Sequence, residues 1–135
     1  MNDVTIKDII QVKSLLFSNM YAFELISQED EMIQEEFGTF EAVIQWNIPG
    51  VVSSYLEIKD SKPKLYMNAK HQNPTVIITF KDIQTAKDVL NGNADSIKLF
   101  IKGDVLVEGD LKKGLKIFKA TELLEDYIAY FKNLK

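Results

Sequence analysis

Apolar side chains recur with two different periods along the chain, and the change falls near Thr39. Before Thr39 the period is three to four residues, which is typical of amphipathic helices. The first helix carries this repeat through Ile9, Val12, Leu16, Met20 and Phe23. Thr5 and Asp8 have the spacing of a capping box at its start, and Ser27 with Asp30 resembles the cap of a second helix.

From Thr39 onward the period is two, as in strands that bury one face. Turn residues such as Pro49–Gly50 divide this region into strands, the fourth of which runs from Thr75 to Phe80. The predicted inward faces of the first three strands are Ala42, Ile44, Trp46 and Ile48, then Val52, Ser54, Leu56 and Ile58, then Leu65, Met67 and Ala69. Because short turns join these three strands, they should form an antiparallel meander.

Helical patterns return after the fourth strand. Asp82 is placed to cap a helix that stops at Asn91–Gly92, and residues 94–101 predict a second short helix. The next residues, Asp104 to Glu108, alternate again and predict a fifth strand, which Gly109 ends.

Two further helices complete the predicted order. Asp110 is placed to cap the first of them, whose apolar face is predicted to be Leu111, Leu115 and Phe118. Thr121 is placed to cap the second, with Leu124, Tyr127, Ile128 and Phe131 on one face. The order predicts an α+β protein: a mostly antiparallel five-stranded sheet with helices packed on one face.

The segment around the fifth strand carries a family pattern. Gly103, a short apolar strand, Gly109–Asp110 and a helix containing Leu115 resemble the C-terminal signature of the sterol carrier protein type 2 (sterol-binding domain) family. The order of strand, helix, helix and strand upstream of this signature also matches that family. The resemblance extends from Tyr21 to Phe118 and implies a sterol-carrier-like fold.

Length and composition narrow the class of protein. A chain of 135 residues, 46% hydrophobic and 27% charged, is expected to form a single globular domain over residues 1–135. The absence of cysteine excludes disulfides, thiolate nucleophiles and cysteine-bound metals. A net charge of −4 argues against a nucleic-acid partner. The polar, acidic start MNDVTIKD is unlike a secretory signal, so we expect a cytoplasmic protein.

Catalytic and metal-binding patterns are weak. His71 is the only histidine, and it lies in a polar loop without a nucleophile or an orienting partner at a recognisable spacing. We interpret it as a loop residue and expect no enzymatic activity, no cofactor and no metal; a hydrolase that uses His71 is the weakest alternative. The acids between Glu29 and Glu36 are interpreted as a solvated helix face, because they lack the glycine-containing loop of a cation site.

Four lysines around the predicted helix after Asp110 are a candidate membrane-docking patch: Lys112, Lys113, Lys116 and Lys119. Each lysine near an anionic surface contributes about 1 kcal/mol of attraction. The alternative is an ordinary solvated face, which is the more common role of such a cluster.

Apolar side chains on the faces predicted to converge between sheet and helices are Trp46, Met67, Phe80, Phe100, Leu115, Phe118, Ile128 and Phe131. In an arbitrary small domain such a set fills the core. The family resemblance implies instead an apolar tunnel that holds sterols, fatty acids or related lipids. We therefore predict an intracellular lipid-binding or transfer protein. The alternative is a non-catalytic interaction or dimerisation module, in which the same groove receives a protein partner, such as a second copy of the chain.

Overall fold

A computed structural model describes residues 4–37, 41–60 and 62–120. The helices are α1 (Ile6–Glu29), α2 (Glu31–Phe37), α3 (Ile83–Leu90) and α4 (Ser96–Lys102), and residues 111–120 are also helical and are called α5. The strands are β1 (Ala42–Ile48), β2 (Val52–Lys59), β3 (Lys62–Tyr66), β4 (Val76–Phe80) and β5 (Val105–Gly109). The predicted helix after Thr121 lies outside the described residues.

The five strands form one sheet in the order β3-β2-β1-β4-β5. β1 pairs with β2, β2 with β3, and β4 with β5 in antiparallel fashion, whereas β1 and β4 are parallel. The predicted α+β class and mostly antiparallel sheet are therefore confirmed, with one parallel pair that makes the sheet mixed. The meander of β1, β2 and β3 is also confirmed, because short turns allow only antiparallel pairing.

One face of the sheet is buried under the helices and forms the core. Ile44 of β1 stands opposite Leu56 of β2 and Val76 of β4, so the apolar positions of the three central strands are in register on this face. The buried side chains of α1 pack into the same cluster: Val12, Leu16, Met20 and Phe23. We call this the core face, and the opposite one the outer face.

Helix boundaries follow the predicted caps at three places. Thr5 and Asp8 form the capping box of α1, and the Asp82 carboxylate accepts a 2.8 Å hydrogen bond from the Thr85 N–H at the start of α3. The Asp110 carboxylate accepts from the Lys113 N–H at 3.2 Å at the start of α5. Gly103 ends α4 with φ 97°, a left-handed conformation that glycine adopts without a steric penalty.

The predicted cap at Ser27 is wrong. Ser27 lies inside α1 and is buried, because that helix continues to Glu29. Asp30 is the residue that separates the two helices: its N–H donates to the Ile26 carbonyl at 2.7 Å, and its carboxylate accepts from the Met32 N–H at 2.9 Å. A single residue therefore ends α1 and caps α2.

The connection from β3 to β4 crosses the outer face. The Ala69 N–H donates to the Ser53 carbonyl of β2, and the His71 N–H donates to Gln45 Oε1 on β1, both at 3.0 Å. The Thr75 N–H then donates to the Val43 carbonyl as β4 begins. This crossing carries the chain past β2 and β1, so that β4 can pair in parallel with β1.

Candidate functional site

The two sides of the core face are covered by different kinds of helix. On the β3 side, α1 lies against β3 and α3. The Asn19 Nδ2 donates to the Leu90 carbonyl at 2.9 Å, and Lys87 forms an ion pair with Asp8 at 3.3 Å. These two polar contacts join α1 to α3 and close this side of the molecule.

On the β5 side, α4 lies against β5 but is not packed away from water. Its sequence is SIKLFIK, yet none of its residues is buried. Ile97, Leu99 and Phe100 pack only partly against the core, and Ile101 is 79% exposed. An apolar helix left in this state has unused apolar surface that a bound molecule could cover.

An aromatic cluster connects α4 to the sheet. The rings of Phe100 and Phe118 have their centroids 6.4 Å apart, a normal distance for tilted aromatic packing. Phe118 belongs to the same buried cluster as Trp46 and Phe80, which lie on the core face of the neighbouring strands β1 and β4. The structure thus places four of the predicted site residues in one apolar region.

The buried face of α5 differs from the predicted one. Phe118 is buried as expected, but the other buried positions are Gly114, Ile117 and Ala120, whereas Leu111 and Leu115 are 49% and 41% exposed. Gly114 explains the rotation, because a Cβ there would lie 2.9 Å from Val107 Cγ1 and 3.3 Å from Val76 Cγ1. The glycine lets α5 approach β4 and β5 closely, and Leu111 and Leu115 remain on the exposed side of this helix.

Another predicted site residue, Met67, lies on the β3 side of the sheet and not in this region. Met67 follows the end of β3 and is 57% exposed. The next residue, Asn68, adopts a positive φ of 54°, and its N–H donates to Ser54 Oγ. Ile128 and Phe131 lie outside the described residues. The assignment of all eight side chains as a ligand-binding set stays a prediction.

The four lysines of the predicted membrane-docking patch are not equivalent. The Lys113 Nζ donates to the Glu41 carbonyl at 2.8 Å and holds α5 against the start of β1. Lys116 is half-buried, whereas Lys112 and Lys119 are exposed. Their role at a membrane stays a prediction.

His71 has structural contacts in the connection between β3 and β4. Its Nδ1 accepts from the Asn73 N–H at 2.9 Å, and its ring meets the edge of Tyr55 at a centroid distance of 5.2 Å. Across residues 4–37, 41–60 and 62–120, no group of three or more His, Asp or Glu side chains could hold a metal ion. No helix in the same ranges is long and apolar enough to cross a membrane.

The family of the chain is defined by its match to known sequences. The model of the SCP-2 sterol transfer family matches residues 23–122, and the chain therefore belongs to that family. Membership makes it a lipid-binding or transfer domain by class. No curated protein sequence matches the chain significantly.

Solved structures share the fold at low sequence identity. A crystal structure of sterol carrier protein 2 has a TM-score of 0.63 at 15% identity, over 79% of this chain and 90% of the other. Palmitated SCP2L2 from Aedes aegypti has a TM-score of 0.55 at 13% identity, over 86% and 93%. The sec-alkylsulfatase Pisa1 from Pseudomonas sp. has a TM-score of 0.54 at 14% identity, over 64% of this chain but only 14% of the enzyme.

Proposed function

We propose that this chain binds and transfers a fatty acyl, isoprenoid or sterol-like lipid, which it holds between the core face and the helices α4 and α5. Family membership supports the class of ligand. The observation that supports the position is α4, an apolar helix with no buried residue. Burying one Leu, Ile or Phe side chain contributes about 1.5–3 kcal/mol, so a lipid that covers Phe100 and Ile101 gains substantial free energy.

The free energy available from an acyl chain is sufficient. Each buried methylene contributes about 0.8 kcal/mol, so a sixteen-carbon chain gains roughly a dozen kcal/mol before the costs of binding. Micromolar affinity needs only about 8 kcal/mol. Palmitated SCP2L2 shares the fold and makes a palmitoyl chain a suitable first probe.

The polarity of the region limits how a lipid would be oriented. Among the described residues, the buried polar side chains are Asn19, Ser27, Gln45 and Ser54, none of them charged. An ionised headgroup buried without a partner is strongly unfavourable. The headgroup should therefore stay at the solvent end, near Ile101 and Leu115, with the tail directed towards Phe100 and Phe118. Selection by an apolar site of this kind is weak, because single methylenes discriminate poorly.

Displacement of a fluorescent fatty acid tests this position. Phe100→Asp and Leu115→Asp change partly exposed side chains, so both variants should fold, and each should weaken binding at least about tenfold because a charge enters the apolar region. The matched control is Met32→Asp, which places the same charge at an exposed position of α2. Unchanged affinity in a folded Phe100→Asp variant would show that the lipid is not held there.

Native mass spectrometry of the protein purified from cells gives an independent test of the ligand class. We expect a population whose added mass equals that of a fatty acid, an isoprenoid or a sterol. Denaturation should release that mass, because the complex is non-covalent. Protein that carries no lipid and takes up none from added palmitate would contradict the proposed function.

A second candidate function, a dimerisation or interaction module, is favoured by the outward side of α1. Ile6, Ile10, Tyr21 and Leu25 are between 45% and 76% exposed. At about 100° per residue they fall within about a 100° arc of the helix, away from its buried side. Light scattering after size exclusion should then show a dimer that Ile10→Asp converts to monomer. A monomeric parent protein at high concentration would exclude self-association.

A further inference from the structure

The outer face carries a cavity of about 560 Å³, a volume within the range of small-molecule sites. Its floor includes Asn47 of β1, with Ser53 of β2 and Thr79 of β4 as its direct neighbours across the sheet. The turn at Pro49–Gly50 forms one wall, and residues 68–70 of the connection between β3 and β4 form the other. The sheet separates this cavity from the proposed lipid site.

Asn47 is held in one orientation at the floor of the cavity. Its Oδ1 accepts from Gln45 Nε2 at 3.0 Å and from Ser53 Oγ at 2.9 Å. Two donors on the same oxygen fix which end of the amide is the acceptor. The Nδ2 has no acceptor within the described part of the chain, so it remains available to donate a hydrogen bond.

The wall of the cavity is tied to the same network. Gln45 is 5% exposed, and its Oε1 accepts from the His71 N–H at 3.0 Å while its Nε2 donates to Asn47. Tyr55 stacks on Tyr66, with ring centroids 4.7 Å apart, and the His71 ring makes an edge contact with Tyr55. The position of the connection and the orientation of Asn47 are therefore set before any ligand arrives, which reduces the entropy lost on binding.

Lys70 is the one charged residue among those that line the cavity. Lys70 is exposed at the rim and forms no ion pair in the ranges that the structure covers, and none of the lining residues is acidic. The Thr79 hydroxyl is likewise without a protein partner in those ranges and lies next to Asn47. An amide N–H, a hydroxyl and an ammonium group around one cavity form a donor set that matches an anionic group.

We propose that this cavity binds a small soluble anion, a carboxylate or phosphate compound, through Asn47 Nδ2, the Thr79 hydroxyl and the Lys70 ammonium group. The site is on the opposite side of the sheet from α4 and α5. A soluble anion and a lipid can then be bound at the same time. The proposal is independent of the lipid-binding function, because none of its three residues belongs to the apolar region.

Titration of the whole chain with inorganic phosphate and, separately, with succinate tests the proposal by ¹H–¹⁵N NMR at constant ionic strength. We expect saturable shifts of the Asn47 side-chain amide and of the backbone amides of residues 50–53 and 68–70, from at least one of the two anions. Shifts that grow linearly and spread over the exposed lysines would overturn it. Binding only to phosphatidic acid vesicles, with none to either soluble anion, would also overturn it.

Variants identify the groups that bind. Asn47→Asp keeps the oxygen that accepts from Gln45 and Ser53 but replaces the Nδ2 donor with a second carboxylate oxygen, and should weaken binding at least about tenfold. Thr79→Val keeps the shape and removes the hydroxyl, and should weaken binding about threefold to tenfold. Unchanged anion affinity in both folded variants would contradict the site.

Lys70→Gln has a matched control in Lys59→Gln, which removes the same charge from the far end of β2. We expect weaker anion binding in the first variant and parent-like binding in the second. Equal losses in the two variants would show a general effect of net charge and would overturn the role of Lys70. Fluorescent fatty-acid binding should stay at the parent value in all four variants, which keeps this test separate from the test of lipid binding.

Discussion

The β3 side and the β5 side of the core face belong to one sheet and both carry large apolar side chains. The helices cover these two sides to different degrees. On the β3 side a 24-residue helix, α1, buries four large apolar residues and hydrogen-bonds to α3 through Asn19. On the β5 side the seven-residue helix α4 buries none of its residues, and α5 leaves Leu111 and Leu115 exposed.

This difference predicts a division between the part of the fold that supplies stability and the part that binds a ligand. A long helix fixed at several points can bury its side chains completely, whereas a short helix between two turns has few contacts and can move at low cost. We infer that the β3 side supplies most of the free energy of folding and that the β5 side is where a ligand can enter. The predictions below test that division, from the largest expected effect to the smallest.

Phe23→Ala and Phe100→Ala should have unequal effects on stability. Phe23 is 1% exposed under α1, so its truncation leaves a cavity and should cost about 3–5 kcal/mol. Phe100 is only partly buried, and its truncation should cost about 1 kcal/mol. Urea unfolding followed by circular dichroism measures both. Equal losses would mean that the β5 side is as tightly packed as the β3 side.

Gly109→Ala tests how closely β5 must approach β4. Gly109 has φ 94°, and a Cβ there would overlap the Thr75 carbonyl, so the backbone itself would have to shift. We expect a loss of about 2–3 kcal/mol in the free energy of unfolding. Gly114→Ala should cost less, since only the side chains of Val107 and Val76 must move and alanine favours the helix. The reverse order would contradict this account of the β5 side.

Asn19→Ala tests the polar contact that closes the β3 side. The substitution leaves the Leu90 carbonyl without the hydrogen bond from Asn19 in a buried position, which should cost about 1–2 kcal/mol. Gln28→Ala, at an exposed position on the same helix, is the control and should change stability by less than about 0.5 kcal/mol. The same urea titration compares the two variants. Indistinguishable midpoints would show that the hydrogen bond from Asn19 does not stabilise the β3 side.

The smallest expected effect is on the acid side of the stability profile. The Thr5 backbone N–H lowers the pKa of Asp8 from its usual 3.8, and the Thr85 backbone N–H lowers the pKa of Asp82 in the same way. Both groups bind protons less tightly when folded, so their contribution is present above about pH 3.8 and is lost as the pH falls through the folded pKa values.

Thermal unfolding at a series of acidic pH values measures this effect. Asp82→Asn keeps a good N-cap but removes one titrating group, so its Tm should fall less steeply below about pH 4 than that of the parent. If the Tm values of the two proteins fall in parallel, Asp82 does not contribute to the loss of stability at acidic pH.

The sequence predicts the elements well because their signals are local. The caps at Thr5, Asp82 and Asp110 and the strand face containing Trp46 each follow from a few neighbouring residues. Gln45 shows where this fails: its alternation predicts the partly solvated face of β1, but the connection between β3 and β4 crosses over it and buries it. No periodicity encodes the path of that connection, so the outer cavity could not be predicted.

The position of α5 was unpredictable for a related reason. Leu111 and Leu115 are more apolar than Gly114 and are the natural choice for a buried face, but the close approach to Val107 depends on the absence of a side chain. A glycine inside a helical pattern was the available signal. Its meaning depends on a strand that lies beside it only in the folded chain, so the exposure of Leu111 and Leu115 could not be predicted from the helical spacing.

The parallel pairing of β1 with β4 has a kinetic consequence. The hairpin of β1 and β2 closes over a three-residue turn, whereas the bond from Thr75 to Val43 joins residues 32 positions apart. Contacts between distant residues form later, since chain entropy is lost before they are made. The N-terminal meander should therefore assemble first during folding, and the attachment of the C-terminal half of the sheet should limit the rate.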